Sequence, residues 1–176
     1  MKNILLLSVS ALALASCAPM MANSSTMMAN TTTLPYTLTA QEAPSTAMSS
    51  GAMSQATTQA IIKPVGNISV TNTAATGSTV ATTSTTAMIT GLLPNTYYVA
   101  HYHLMGSASL NACQSGGMLI KSSMLVGQSD ANGALTLSGA VPTNDLTNAT
   151  YFNVHTASDA MGTPADAGIT CTPIKF

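Results

Sequence analysis

Residues 91–103 decide the fold class, and their sequence is GLLPNTYYVAHYH. The pair Pro94-Asn95 is a turn signal, and the aromatic and β-branched residues after it favour a strand over Tyr97–His103. Side chains alternate between the two faces of a strand, so His101 and His103 should point to one face, about 7 Å apart. The segment therefore predicts a strand that carries two imidazoles side by side.

Similar short runs recur from about residue 61, with no long helical pattern between them. The predicted strands are Ile68–Ala74, Ser78–Thr90, Tyr97–His103, Met118–Val126, Ala134–Val141, Thr150–Thr156 and Ile169–Ile174. Gly, Asn and Pro turn signals separate them, which is typical of antiparallel sandwiches and barrels. We predict an all-β domain, a β-sandwich or barrel, over residues 61–176, which is long enough for one hydrophobic core.

The composition is almost uncharged. Of 176 residues only 5% are charged, the cations are four Lys with no Arg, and the net charge is −1. Such a chain lacks the basic surface that nucleic acids require, so we expect no nucleic-acid partner. A nearly uncharged surface favours permanent association with a membrane or another protein.

The N-terminus predicts export. Residues 4–15 form an apolar run after Lys2, too short for a stable transmembrane helix and typical of a secretory signal. The run ends in Leu-Ala-Ser-Cys at residues 14–17, which resembles the lipobox of bacterial lipoproteins. The resemblance implies a signal over residues 1–17, lipidation of Cys17 and anchoring in the cell envelope, at the outer membrane because residue 18 is Ala. The alternative is ordinary signal cleavage that leaves Cys17 as a spare thiol.

Residues 18–60 predict a Ser-, Thr- and Met-rich tail. They show no sustained periodicity and bury too little apolar surface to offset the entropy of ordering. The tail contains six of the 12 methionines, namely Met20, Met21, Met27, Met28, Met48 and Met53. These thioethers could bind copper(I) or pack on a larger envelope or surface-layer partner, and their irregular spacing favours the second interpretation.

Cys113 and Cys171 remain once Cys17 is assigned to the lipid. An exported chain meets an oxidising compartment, so we predict that these two form a disulfide. A metal site of Cys and His is the alternative, but the Cys spacing matches no zinc finger or ribbon.

The third histidine, His155, lies near the end of the predicted strand Thr150–Thr156. Three neutral imidazoles on two strands suit copper, zinc or nickel. The alternative is three unrelated histidines, but all the histidines of the chain fall on two strands that could be neighbours.

Several segments together resemble the copper/zinc superoxide dismutase family over residues 64–176. Residues 91–103 resemble the family's Gly-Leu-x-Pro-Gly-x-His-Gly-x-His-x-His segment, and residues 113–118 its Cys…Gly-Gly-His run. Residues 154–162, VHTASDAMG, resemble Val-His-Glu-x-x-Asp-Asp-Leu-Gly, and residues 167–171 resemble the segment with the second disulfide Cys. Residues 151–156 are also similar to the Tyr-Val-Asn-Val-His-Thr run of CHRD domains. The resemblance implies a Greek-key β-sandwich or barrel.

The resemblance also implies a ligand set of His101, His103 and His155 for one copper ion. The histidine that bridges copper to zinc in the family falls on Met118, and no further His exists, so we expect no zinc. Met118 is either a weak fourth copper contact or a core side chain.

Three further positions follow from the resemblance. Asp159 matches an Asp that orients a copper-ligand His, although it could be only a turn residue. The family's active-site Arg falls on Gly168. Lys121 or Lys175 would then help to steer superoxide.

The resemblance therefore implies an envelope-anchored, copper-only superoxide dismutase that converts superoxide to dioxygen and hydrogen peroxide. Two alternatives remain: a copper-binding module without turnover, and a structural subunit of a larger outer-membrane or surface-layer assembly.

Overall fold

The computed structural model describes residues 31–41 and 63–176. These residues form eight β-strands and three short 3₁₀ turns, at Ala112–Gln114, Lys121–Ser123 and Thr143–Leu146. The strands are β1 (Thr31–Ala40), β2 (Val65–Thr73), β3 (Thr82–Thr90), β4 (Tyr97–Leu104), β5 (Leu125–Gln128), β6 (Leu135–Pro142), β7 (Ala149–Thr156) and β8 (Thr170–Pro173). The prediction of an all-β domain is confirmed. This part of the chain contains no helix long and apolar enough to cross a membrane.

The eight strands form one antiparallel, nearly closed sheet. The strand order is β5-β4-β7-β8-β1-β2-β3-β6, and the two end strands β5 and β6 pack against each other. Strand β7 returns to lie beside β4, so the order β7-β4-β5-β6 is a Greek key. This long-range return places the His155 strand directly beside the strand of His101 and His103.

Strand β1 corrects the predicted extent of the tail. Residues 18–60 were expected to be a tail, but Thr31–Ala40 pairs with β2 and, at Thr39 and Ala40, with β8. Leu38 is buried in the core, and Tyr36 packs against it, so β1 does bury apolar surface. Leu34, Tyr36 and Leu38 do alternate with Pro35, Thr37 and Thr39, but a Pro within such a run argues against a strand. Pro35 is tolerated because it lies where β1 pairs with β2 alone, leaving the other edge free of ladder bonds.

The predicted strand Met118–Val126 is also wrong in part. Only Leu125–Gln128 is a strand, and a 3₁₀ turn occupies Lys121–Ser123. The buried Ser123 hydroxyl donates to the Ile120 carbonyl and accepts from the Tyr102 backbone N–H. These side-chain bonds compete with a regular ladder, so the segment lies along the edge of β4 as a turn.

The core fills the inside of the barrel. Its members come from alternate positions of the strands, and the largest fully buried ones include Tyr98, Tyr102 and Phe152. Tyr102 and Phe152 meet edge to face at 5.0 Å, and the Tyr102 hydroxyl hydrogen-bonds Thr85 Oγ1 at 2.7 Å. Burial raises the pKa of Tyr102 to about 12. Because Tyr102 points inward, its neighbours His101 and His103 point to the outer face.

Candidate metal centre

Strand register brings the three histidines together on the outer face of β4 and β7. His155 lies opposite Val99, and His101 lies opposite Asn153. The exposed fractions of His101, His103 and His155 are only 2%, 7% and 6%. The prediction that two strands bring all three imidazoles to one place is confirmed.

Two loops cover this outer face. The first follows β4, leaves it at a β-bulge between His103 and Leu104, and is tied to β8 by a disulfide between Cys113 and Cys171. The predicted disulfide is therefore confirmed. The second loop follows β7 and approaches His155 at Asp166. The histidines are buried because these loops cover them, although they lie outside the barrel core.

Backbone carbonyls fix the orientation of two imidazoles. His103 Nδ1 donates to the Gly117 carbonyl at 2.8 Å, and His155 Nδ1 donates to the Asp166 carbonyl at 3.0 Å. A carbonyl oxygen can only accept, so in each neutral ring the proton lies on Nδ1 and Nε2 has the free lone pair. Both rings therefore present an unprotonated nitrogen.

Gly117 can reach His103 only because it lacks a side chain. A Cβ at position 117 would lie 1.7 Å from the Leu104 carbonyl oxygen. Any other residue would push the loop away from β4 and remove the carbonyl that orients His103. The Gly116-Gly117 pair, which the sequence marks only as a turn, thus has a specific role at the site.

The three histidines can hold a metal ion. One ring nitrogen from each lies within 4.8 Å of the other two. Two nitrogens bound about 2.0–2.1 Å from one ion lie at most about 4 Å apart, so only a small movement would close the site. Within the described residues, His101 Nε2 and His155 Nε2 are buried without a hydrogen-bond partner. Leaving such a group unpaired costs about 1–3 kcal/mol. An ion bound to His155 Nε2 would remove that cost at His155.

Burial keeps the imidazoles of His101 and His103 neutral. Desolvation, and then the neighbouring His155 and His103, lower the pKa of His101 to about 4. Desolvation also lowers the pKa of His103, against the opposing effect of its bond to Gly117. Neutral imidazole is the form that binds transition metals, so these two rings need lose no proton at pH 7.

Asp166, and not Asp159, is the carboxylate beside the cluster. Asp159 is exposed and accepts from the backbone N–H groups of Met161 and Thr163, as expected for a turn residue. Asp166 Oδ1 lies 3.6 Å from His155 Nδ1. Partial burial raises the pKa of Asp166, but the nearby His155 imidazole and hydrogen bonds from the Thr156 and Gly168 backbone N–H groups outweigh that effect and hold the pKa below its usual value. The sequence offered no local signal for Asp166, because the loop conformation decides which Asp reaches the ring.

Met118 is neither buried nor a neighbour of the cavity beside the site. The residue is 75% exposed, so of the two alternatives for Met118 the one that packs it in the core is wrong. The cavity beside His103 has a volume of about 750 Å³ and is also lined by Gln41, Tyr151 and Gly168, but Met118 is not among its lining residues.

Within the described residues, neither Lys121 nor Lys175 has a hydrogen bond to the histidine cluster. Lys121 is exposed in its 3₁₀ turn, and Lys175 contacts Tyr36 through its backbone. Gly168 leaves no space for a long side chain. A Cβ there would lie 2.4 Å from both amide atoms of Asn153, and its φ of +121° disfavours side chains.

Acid is expected to destabilise the metal-free protein between pH 6.5 and about 4 through His101. The unfolded chain binds a proton at the ordinary pKa of 6.5, whereas folded His101 resists it down to about 4, so the free energy of unfolding falls as the pH falls across this window. Urea unfolding at several pH values would measure the slope.

His101→Gln is the control, and it should show a shallower slope over the same window. The lowered pKa values of Asp159 and Asp166 act separately, because their contribution is lost only below the ordinary 3.8. An equal slope in His101→Gln would contradict the assignment to His101.

No protein-family model matches the sequence, and no curated protein matches it. Any functional assignment therefore depends on the chemistry of the site.

Proposed function

We propose that this protein binds one copper ion on His101, His103 and His155 and acts as a copper-dependent superoxide dismutase. The observation that carries the proposal is the buried convergence of three imidazoles, two of them oriented by backbone carbonyls. Structural histidines ordinarily satisfy both ring nitrogens, whereas here two Nε2 atoms stay unpaired among the described residues.

The donor set supports copper over other metals. Three neutral nitrogen ligands suit copper, which binds such sites more tightly than zinc does. Zinc in structural sites usually takes four protein ligands, and the described residues offer no fourth His, Cys or carboxylate in the cluster.

The residues around the site would each contribute to the reaction. The Gly117 and Asp166 carbonyls hold His103 and His155 in the ligand tautomer. The Tyr151 ring stacks on His103 with centroids 4.5 Å apart, which fixes the ring and excludes water from that side. Copper bound there would supply the one-electron couple that oxidises one superoxide to dioxygen and reduces another to hydrogen peroxide. The protons for peroxide would come from solvent.

A copper-binding protein without turnover is the second candidate, and one observation favours it. The chain has no Arg, and the space above Gly168 is filled by Asn153 and Gln41. An anionic substrate would therefore meet little positive charge from the protein, which lowers the encounter rate.

One experiment distinguishes the two candidates. The purified full chain is loaded with copper, its metal content is measured by mass spectrometry, and superoxide decay is followed after pulse radiolysis. We expect one copper per chain, no stoichiometric zinc, and decay that the copper-free protein does not produce. One copper without faster decay would support the binding role alone. Full zinc occupancy with copper excluded would overturn both and favour a structural subunit.

The same proposal places the protein on the cell envelope through a lipid on Cys17, with the parts of the 18–60 segment outside β1 available to a larger envelope partner. Cys17 and the tail methionines lie outside the described residues. Support comes from the lipobox-like ending of the apolar run. Two or three acyl chains would anchor it firmly, because each buried methylene contributes about 0.8 kcal/mol.

Cys17→Ser is expected to release the chain from membranes or to block its processing. Fractionation of the producing cells and the mass of the mature protein would measure both effects. Unchanged membrane association together with an unchanged mass would exclude lipidation.

A further inference from the structure

Asn153 lies in the same cross-strand row as His101. His101 on β4 pairs with Asn153 on β7, and Asn153 pairs in turn with Cys171 on β8. Directly opposite residues on one face have Cβ atoms about 4.5–5.5 Å apart. Asn153 is 3% exposed, so it is a buried polar residue beside a proposed ligand.

Both residues have an unsatisfied polar atom. Asn153 Oδ1 and His101 Nε2 are each buried without a hydrogen-bond partner among the described residues. Native proteins leave few such groups, and two on paired residues call for a common explanation.

The hydrogen bonds of the cluster explain why His101 Nε2 is unpaired in the metal-free state. His103 Nε2 has no proton, because His103 donates from Nδ1 to Gly117. His101 Nδ1 lies 3.0 Å from His103 Nε2, so His101 must donate from Nδ1 in the neutral cluster. Its Nε2 is then an unprotonated acceptor on the residue directly opposite Asn153. Asn153 Oδ1 is also an acceptor, so the two atoms cannot bond in this state.

Metal binding would reverse this arrangement. An ion that takes the His103 Nε2 lone pair removes the acceptor of the His101 Nδ1 proton. His101 can then offer Nδ1 to the same ion, and its proton moves to Nε2. A buried N–H needs an acceptor, and the unpaired oxygen of the facing residue can supply it.

We propose that Asn153 is a positioning residue whose Oδ1 accepts a hydrogen bond from His101 Nε2–H once His101 binds the metal through Nδ1. This inference rests on the proposed copper site. Hydrogen bonds of this kind fix the tautomer and ring orientation of a ligand and increase its affinity for the metal.

The surroundings hold the Asn153 amide in the required orientation. Its Nδ2 donates to the Ala167 carbonyl at 3.1 Å, which leaves Oδ1 as the acceptor. Gly168 provides the space, because a Cβ there would lie 2.4 Å from both amide atoms.

The test uses the full chain loaded with copper(I), which is diamagnetic and permits ¹⁵N NMR of the histidine rings. In the wild type we expect His101 to be protonated on Nδ1 without copper and on Nε2 with copper. Asn153→Leu removes the acceptor at similar volume. In this variant the His101 Nε2 proton should exchange with solvent at least about tenfold faster, and the copper(I) affinity should fall about tenfold or more. Asn153→Asp keeps the oxygen acceptor, so its affinity should equal or exceed that of the wild type. Thr170→Val on β8 is the matched control, because it removes a partly buried hydrogen bond to the Thr39 carbonyl on β1 and should leave both readouts unchanged.

The outcomes separate this inference from the proposed function. Failure of the wild type to bind copper would overturn the proposed function. Copper binding with His101 still protonated on Nδ1 would overturn only the role of Asn153, as would wild-type affinity and proton exchange in Asn153→Leu. If Asn153→Leu does not fold, a folded Asn153→Asp with about tenfold lower affinity would contradict the inference.

Discussion

Replacing His155 with Ala is expected to lower copper affinity by at least tenfold, and His101→Ala and His103→Ala should do the same. Each change removes one of three nitrogen ligands from a cluster with no fourth candidate among the described His, Cys and carboxylate residues. Competition with a copper chelator of known affinity would measure the loss, and the spectrum of bound copper(II) would report the altered ligand set.

Met118→Leu is the matched control for these variants. The Met118 side chain is 75% exposed, so its replacement should change neither the copper affinity nor the copper reduction potential. A shifted potential would show that the thioether reaches the metal. Stoichiometric copper with unchanged affinity in His155→Ala would exclude the three-histidine site.

Cys171→Ser is expected to lower the free energy of unfolding by about 2–5 kcal/mol. The disulfide joins residues 58 positions apart, and in the chain-entropy model the closed loop contributes about 4 kcal/mol by restricting the unfolded chain. Urea unfolding of the variant and of the wild type, without reductant, would measure the difference.

The disulfide also bears on the metal site. It ties the loop that supplies the Gly117 carbonyl to β8, so we expect Cys171→Ser to bind copper more weakly as well as to unfold more easily. Cys113→Ser should behave in the same way, because either change opens the same link. Alkylation of either thiol in the native oxidised protein would contradict the assigned disulfide.

The local sequence pattern was sufficient to predict the histidines of the site but not the carboxylate that lies beside them. The alternation of His101-Tyr102-His103 predicts two imidazoles on one face, because the period of a strand is a local property of the backbone. The local pattern pointed to Asp159, but the structure places Asp166 beside His155. The choice between Asp159 and Asp166 depends on the path of the loop after β7, and hydrogen bonds within that loop turn Asp159 away from the histidines.

The sequence by itself determined the all-β class, the shared face of His101 and His103, and the two cysteines available to pair, because these follow from side-chain alternation, turn residues and composition. Only the tertiary structure decided that β7 lies beside β4, that β1 joins the sheet despite Pro35, and that Asn153 faces His101. Those outcomes depend on hydrogen-bond register between strands that are far apart in the sequence. A shift of one residue in that register would place His155 on the opposite face, so the metal centre depends on the packed barrel as a whole.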